Sequence, residues 1–192
     1  KHEHHTRHIP IQILTVADDI PRRKRRGAVR QLRKPVTPEA LDASLDEMRE
    51  FVERKERRLL IVEDDDTVCE HLGKLLGGDS VEIDVSKTYA GAIERLKEQT
   101  YDCCIIDLTL PDGSGLDLVA ELRSELDLQD LPVVVHTSRD LDNEAREFCN
   151  EHVDAVIPKD MTSVDKLLNE TVLFLHRAEY ELRPEQQWRL TG

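Results

Sequence analysis

The sequence predicts an α/β fold: a doubly wound, five-stranded parallel sheet, preceded by an incomplete strand–helix–strand–helix unit. Three observations predict it. From residue 58 onward, five short apolar runs alternate with stretches of helical periodicity. Four of those runs are continuously apolar, as strands covered on both faces of a parallel sheet must be. The first 57 residues carry two further runs and one helical pattern, too little for a sheet of their own.

In order, the strand candidates of the main unit are Leu59–Val62, Val81–Val85, Cys103–Ile106, Val133–Val135 and Ala155–Ile157. The second alternates strictly, with Val81, Ile83 and Val85 on one side, which suits a half-exposed edge strand. The helical stripes between and after them are Val68/Leu72/Leu75/Leu76, Tyr89/Ile93/Leu96, Leu118/Val119/Leu122/Leu126, Leu141/Ala145/Phe148 and Val164/Leu167/Leu168/Val172/Leu175. Each large side chain buried from a run such as Cys103–Ile106 contributes about 1.5–3 kcal/mol, so the sheet is the expected core.

Residues 1–57 read differently. HIPIQILT and GAVRQLRKPV are strand-like. Thr37-Pro38-Glu39 opens a helix with Thr37 as cap, Leu41, Leu45, Met48 and Val52 as its apolar face, and a run toward Arg57. The segment repeats a later one: Pro10 stands five residues before Thr15, as Pro132 does before Thr137. Each Thr ends an apolar run, and each is followed about twenty residues on by a strand ending in Lys34 or Lys159 and then a helix.

Composition limits the function classes. The 192 residues carry a formal charge of −13, which argues against a nucleic-acid surface, since neutralising phosphates needs Lys and Arg. The basic run Arg22–Arg26 reads as a solvated helix face. No run of about 18 apolar residues spans a membrane, and the opening residues do not read as a signal peptide. Cys69, Cys103, Cys104 and Cys149 lack metal-ligand spacing; with Cys103 and Cys104 inside an apolar run, a reducing cytoplasm is the expected compartment.

Ligands of open parallel α/β sheets bind beyond the carboxyl ends of the strands. There the first strand gives Glu63-Asp64-Asp65-Asp66, the third Asp107, the fourth Thr137 and the fifth Lys159. Each has an ordinary alternative reading: solvated acidic loop, turn cap, strand residue, surface cation. All four at the ends of the right strands are a functional constellation. Convergent carboxylates invite a hard divalent cation, Mg²⁺ by preference. A carboxylate beside such a cation can attack a phosphoryl donor, while a Lys ammonium and a Thr hydroxyl offset charge on the phosphoryl oxygens.

LLIVEDDDTV, CCIIDLTLPDGSGLDLV, LPVVVHTS and AVIPKD resemble the response-regulator receiver family over about 120 residues. Asp107 to Thr137 is thirty residues and Thr137 to Lys159 twenty-two, as in that family, with Pro111 and Gly115 punctuating the loop after Asp107. The resemblance implies the flavodoxin-like strand order 2-1-3-4-5. It implies Asp107 as phosphoacceptor, Glu63 and Asp64 as the acidic pair, and Mg²⁺ held by that pair with Asp107 and the carbonyl of Thr109. Thr137 and Lys159 would contact the phosphoryl group. Two departures stand out. Asp160 follows Lys159 where the family has Pro, so a trans bond is expected there. Val156 occupies the place of an aromatic residue three before the Lys, so any switch would work through Thr137 rather than an aromatic rotor.

The expected organisation is therefore the C-terminal half of a preceding receiver over 1–51, a helical linker over 52–57, a complete receiver over 58–178, and a connector tail over 179–192. That arrangement resembles an internal receiver of a multi-receiver hybrid histidine kinase, although no glycine-rich ATP-binding boxes are present and HEHHTRH is only superficially like a phosphorylatable His motif. The expected partners are a histidine kinase or phosphotransfer domain carrying phospho-His, neighbouring receivers, and a possible second copy through the N-terminal half. Alternatives are a degenerate receiver serving as an interaction or dimerisation module, and a phosphatase-like hydrolase. The latter is disfavoured by Thr109, where a second general acid would stand.

Overall fold

A computed structural model describes residues 9–16, 28–54, 56–126, 128–138, 140–160, 163–175 and 182–191, with the side chains of 28–31 and 191 excepted. The His-rich opening and the Arg22–Arg26 run lie outside the described residues. The main unit comprises β3 (Arg57–Val62), α2 (Asp66–Leu76), β4 (Val81–Ser86), α3 (Tyr89–Glu98), β5 (Cys103–Ile106), α4 (Gly115–Ser124), β8 (Val133–Thr137), α5 (Asn143–His152), β9 (Ala155–Pro158) and α6 (Val164–Phe174). Its five strands are parallel in the order β4-β3-β5-β8-β9, the 2-1-3-4-5 arrangement, with β4 at an edge.

Adjacent residues of each central strand point to opposite faces, and this divides the core in two. Leu59, Ile61, Cys103, Ile105, Val134 and Ile157 join Leu72 and Leu76 of α2 and Leu167, Leu168 and Val172 of α6. Leu60, Val62, Cys104, Ile106, Val133 and Val135 join Ala92, Ile93 and Leu96 of α3, Leu118, Val119 and Leu122 of α4, and Cys149 of α5. Cys103 and Cys104 thus pack into different layers, both fully buried, with thiol pKa values raised by that burial. The helix starts are set by side chains that accept from orphan amides. Asp65 caps α2, Thr88 α3, Ser114 α4 and Asp142 α5.

The N-terminal unit has β1 (Ile11–Thr15) parallel to β2 (Ala28–Arg33) in a separate two-stranded sheet, followed by α1 (Pro38–Glu53) capped by Thr37. Gln12 of β1 and the buried Ser44 of α1 are hydrogen-bonded. This unit meets the receiver at the end of the sheet remote from Asp107. There the Arg57 guanidinium lies 4.3 Å from the Phe51 ring centre, and Arg54 pairs with the buried Asp102 carboxylate.

Three sequence expectations are corrected. The helix ends at Glu53 with Arg54 as its cap; Arg57 is already strand, so residues 52–57 are not a helical linker. Leu141 precedes the Asp142 cap and lies outside α5, packing on the core from the loop. The apolar stripe of α6 holds through Leu175, which caps the helix and stays buried in the same layer. The tail does not leave the domain at residue 178: α7 (Pro184–Thr191) folds back, burying Leu182 and Leu190 in the α2/α6 layer. Gln186 Nε2 donates to the Leu75 and Gly77 carbonyls at 2.6 and 3.1 Å, satisfying orphan acceptors at the end of α2. The cis peptide bond of the described residues is Lys34–Pro35; the Lys159–Asp160 bond is not cis.

Candidate functional site: a carboxylate–lysine mouth

The sheet ladder carries the site residues just past the strand ends. Glu63 N–H donates to the Ser86 carbonyl, Asp107 N–H to the Val62 carbonyl and Lys159 N–H to the Thr137 carbonyl, each at 2.9 Å. Since the strands are parallel, side chains leaving adjacent ends converge. Glu63, Asp107 and Thr137 are buried, 2, 5 and 4% exposed, whereas Asp64 is exposed at the rim. One carboxylate oxygen from each of Glu63, Asp64 and Asp107 lies within 4.8 Å of the others. Thr109 opens the short β6 (Thr109–Leu110), which turns back through β7 (Gly113–Ser114) two residues beyond Asp107.

Lys159 is the counter-charge. Its Nζ sits 2.6 Å from Glu63 Oε2 and 2.9 Å from Asp107 Oδ2. Burial works against the ammonium, but the two carboxylates outweigh it and hold its pKa above the ordinary value. Burial raises the Glu63 carboxyl; Lys159 opposes that rise, and the neighbouring Asp107 carboxylate adds to it. Asp107 Oδ1 is buried with no hydrogen-bond partner among the described residues. An orphaned anionic oxygen is costly, so it marks a place built for a further group.

The oxygen-only donor set of Glu63, Asp64 and Asp107, with that unsatisfied Oδ1, fits Mg²⁺. Of the acidic run, Asp65 and Asp66 do other work. Asp65 Oδ1 accepts from the Thr67 and Val68 amides at 2.7 and 3.2 Å, and these bonds lower its pKa. Asp66 pairs with Lys87 at 2.5 Å.

Sequence reasoning missed two supports and named a third, Gly115, only as loop punctuation. The Glu63–Lys159 pair needed tertiary proximity of residues 96 positions apart, since 159 − 63 = 96. Asp112, in the turn after Asp107, accepts from the first amides of α3, Tyr89 and Ala90, at 2.7 and 3.0 Å, tying that loop to its neighbour and lowering its own pKa. Gly115 is where a Cβ would stand 2.1 Å from the Asp107 carbonyl oxygen; only glycine lets α4 start that close to the loop. The DG of PDGSG, Asp112-Gly113, was the available signal for the Asp112 turn.

The fold and the mouth define a class: a parallel α/β domain with a buried acidic cluster, a threonine and a lysine at its carboxyl edge. The profile of the response regulator receiver domain matches residues 59–171, more than half of the chain, and the chain belongs to that family of two-component systems. Two curated relatives are the two-component response regulator PhoP of Pseudomonas aeruginosa and the aerobic respiration control sensor protein ArcB of Escherichia coli. PhoP is 38% identical over 82 residues, 43% of this chain and 36% of that protein. ArcB is 32% identical over 80 residues, 42% of this chain and 10% of that protein. This chain therefore spans well under two thirds of either relative's length. The solved CheY-like receiver domain from Methylobacillus flagellatus superposes with a TM-score of 0.50 at 30% identity, over 60% of this chain and 98% of that one. No helix of the described residues is long and apolar enough to cross a membrane.

Proposed function

We propose that Asp107 accepts a phosphoryl group from the phospho-His of a histidine kinase or phosphotransfer domain, as one step of a phosphorelay. The observation that carries this is the division of labour on one carboxylate: Oδ2 is held by Lys159, while Oδ1 is buried and has no partner among the described residues. An oxygen of the Asp107 carboxylate is the attacking atom. Its bond to phosphorus forms as the phosphorus–nitrogen bond breaks, and the electron pair returns to the imidazole leaving group. Glu63, Asp64, Asp107 and the main-chain carbonyl of Thr109 are the candidate Mg²⁺ ligands. When bound, Mg²⁺ supplies positive charge against the phosphoryl oxygens. Lys159 supplies the second positive charge, and Thr137, buried at the end of β8, the hydroxyl donor.

Treatment with Mg²⁺ and acetyl phosphate tests the assignment. Intact mass gains one phosphoryl group in the native chain and none in Asp107→Asn; equal labelling of the variant refutes it.

The repeat supports a further reading, that the N-terminal unit is the C-terminal part of a preceding receiver within a cytoplasmic multi-receiver hybrid kinase. Lys34 N–H donates to the Thr15 carbonyl at 2.7 Å, the same bond that Lys159 makes to Thr137, and each lysine closes a parallel strand pair before a helix. Among the described residues β1 pairs with β2 alone, and Ile11, Leu14 and Leu45 are exposed, which favours a neighbouring receiver or a second copy. Sedimentation with hydrogen exchange decides: a monomer with unprotected amides over Ile11–Thr15 excludes self-pairing.

A further inference from the structure

Beside the phosphoacceptor mouth, the α2/α6 side of the sheet holds an open cleft of about 710 Å³ that α7 lines on one side. Its volume lies within the range of small-molecule sites. Val68, Leu72 and Leu75 of α2 and Val164 and Leu167 of α6 make its walls apolar. His136 of β8 lines it, and its Nδ1 is buried and lacks a hydrogen-bond partner among the described residues. Arg183, the residue before α7, lines it as well.

The charges around the cavity differ in whether they are already matched. Lys159 is held by Glu63 and Asp107, Lys74 by Glu70 at 2.5 Å, and Arg189 by Asp165 at 2.9 Å. The Arg183 guanidinium makes no ion pair among the described residues, and lies 3.4 Å from the position a Cβ on Gly77 would take. Asp160 and Glu185 also line the space, so the sign of the preferred ligand is a real choice and not a formality. An unmatched guanidinium at the rim of an apolar pocket selects a carboxylate, which it can bind in bidentate fashion.

We propose that this cavity binds a small amphipathic carboxylate, with its apolar body between α2 and α6 and its head group on Arg183. The apolar walls exclude a simple inorganic anion, because such an ion would lose its hydration against five aliphatic side chains. The neutral His136 ring leaves one polar atom for a ligand group or an ordered water. The cleft shares Lys159 with the mouth but none of the acidic-cluster carboxylates, and its occupancy is read without phosphorylation.

The test uses the full 192-residue chain and three probes with the same ten-carbon body: decanoate, decanol and decylammonium, each below its micelle concentration. Methyl NMR is the readout. Decanoate is expected to give saturable shifts at Leu72, Leu75, Val164 and Leu167 and to bind at least tenfold more tightly than either other probe. Arg183→Ala is expected to weaken decanoate at least tenfold and leave decanol unchanged, with far-UV circular dichroism showing that the fold persists. A second variant, Val164→Phe, fills the cavity and is expected to weaken all three. Equal or tighter binding of decanol or decylammonium overturns the carboxylate assignment. Absence of saturable shifts, or shifts centred on the other sheet face, overturns the site.

Discussion

At the scale of single residues, the site is a balance of two buried acids against one cation. Removing Lys159 leaves Glu63 and Asp107 facing each other without a counter-charge. Lys159→Met is expected to lower stability in the absence of divalent cation by roughly 1–3 kcal/mol, part of which Mg²⁺ restores. Urea unfolding with and without Mg²⁺ measures it; a variant as stable as the native chain in both conditions would sink the balance. His136 sets a pH dependence of another kind. Burial, reinforced by the nearby Lys159 charge, lowers its pKa from 6.5 to about 4. The unfolded chain therefore binds the extra proton first, and this contribution to stability, complete above pH 6.5, is lost as pH falls toward 4. With the ring partly exposed, the loss is at most about 2 kcal/mol. Comparing unfolding midpoints of the native chain and His136→Gln across pH 4–7 isolates it, the variant showing the flatter profile.

At the scale of elements, the loops beyond the strands are what position and read the site. Gly115→Ala would drive a methyl group into the Asp107 carbonyl and the Leu108 Cα, both backbone, so relief requires moving the loop itself. A loss of about 2–4 kcal/mol and slower labelling by acetyl phosphate are expected, with Gly113→Ala, which meets the Tyr89 ring instead, as the comparison. Val156 is only partly buried and packs with the α3–α5 layer, leaving no aromatic lever on β9. Phosphorylation is therefore expected to shift amide resonances of Thr137 and Ser138 most strongly after Asp107 itself, by drawing the Thr137 hydroxyl toward the new oxygens. An NMR spectrum in which those two residues stay fixed contradicts this.

At the scale of the whole molecule, α7 belongs to the receiver's core. Leu182 and Leu190 are 4 and 7% exposed, and Gln186 closes the end of α2. Deleting residues 182–192 removes two buried leucines but also the entropy cost of ordering the tail, so a net loss of about 1–3 kcal/mol is expected. Urea midpoints, with hydrogen exchange focused on Leu72–Leu76, test it; unchanged protection there would show the helix to be dispensable.

The sequence by itself determined the five strands and their helices, and it singled out Asp107, Glu63, Thr137 and Lys159 as site candidates, because those features are local. Apolar runs mark doubly covered strands, and in a parallel sheet the residue after each run must appear at the same edge. The same logic recognised the repeat that relates Thr15 and Lys34 to Thr137 and Lys159. Only the tertiary structure decided that Lys159 holds Glu63 as well as Asp107, and that Asp65 and Asp66 are spent on a helix cap and a surface pair. It also decided that α1 stops at Glu53 and that the tail turns back. Each of these depends on where distant segments meet. ELRPEQQWRL has too few apolar residues to announce its destination; the uncovered edge between α2 and α6, which no sequence pattern displays, is what gives Leu182 and Leu190 a place to be buried.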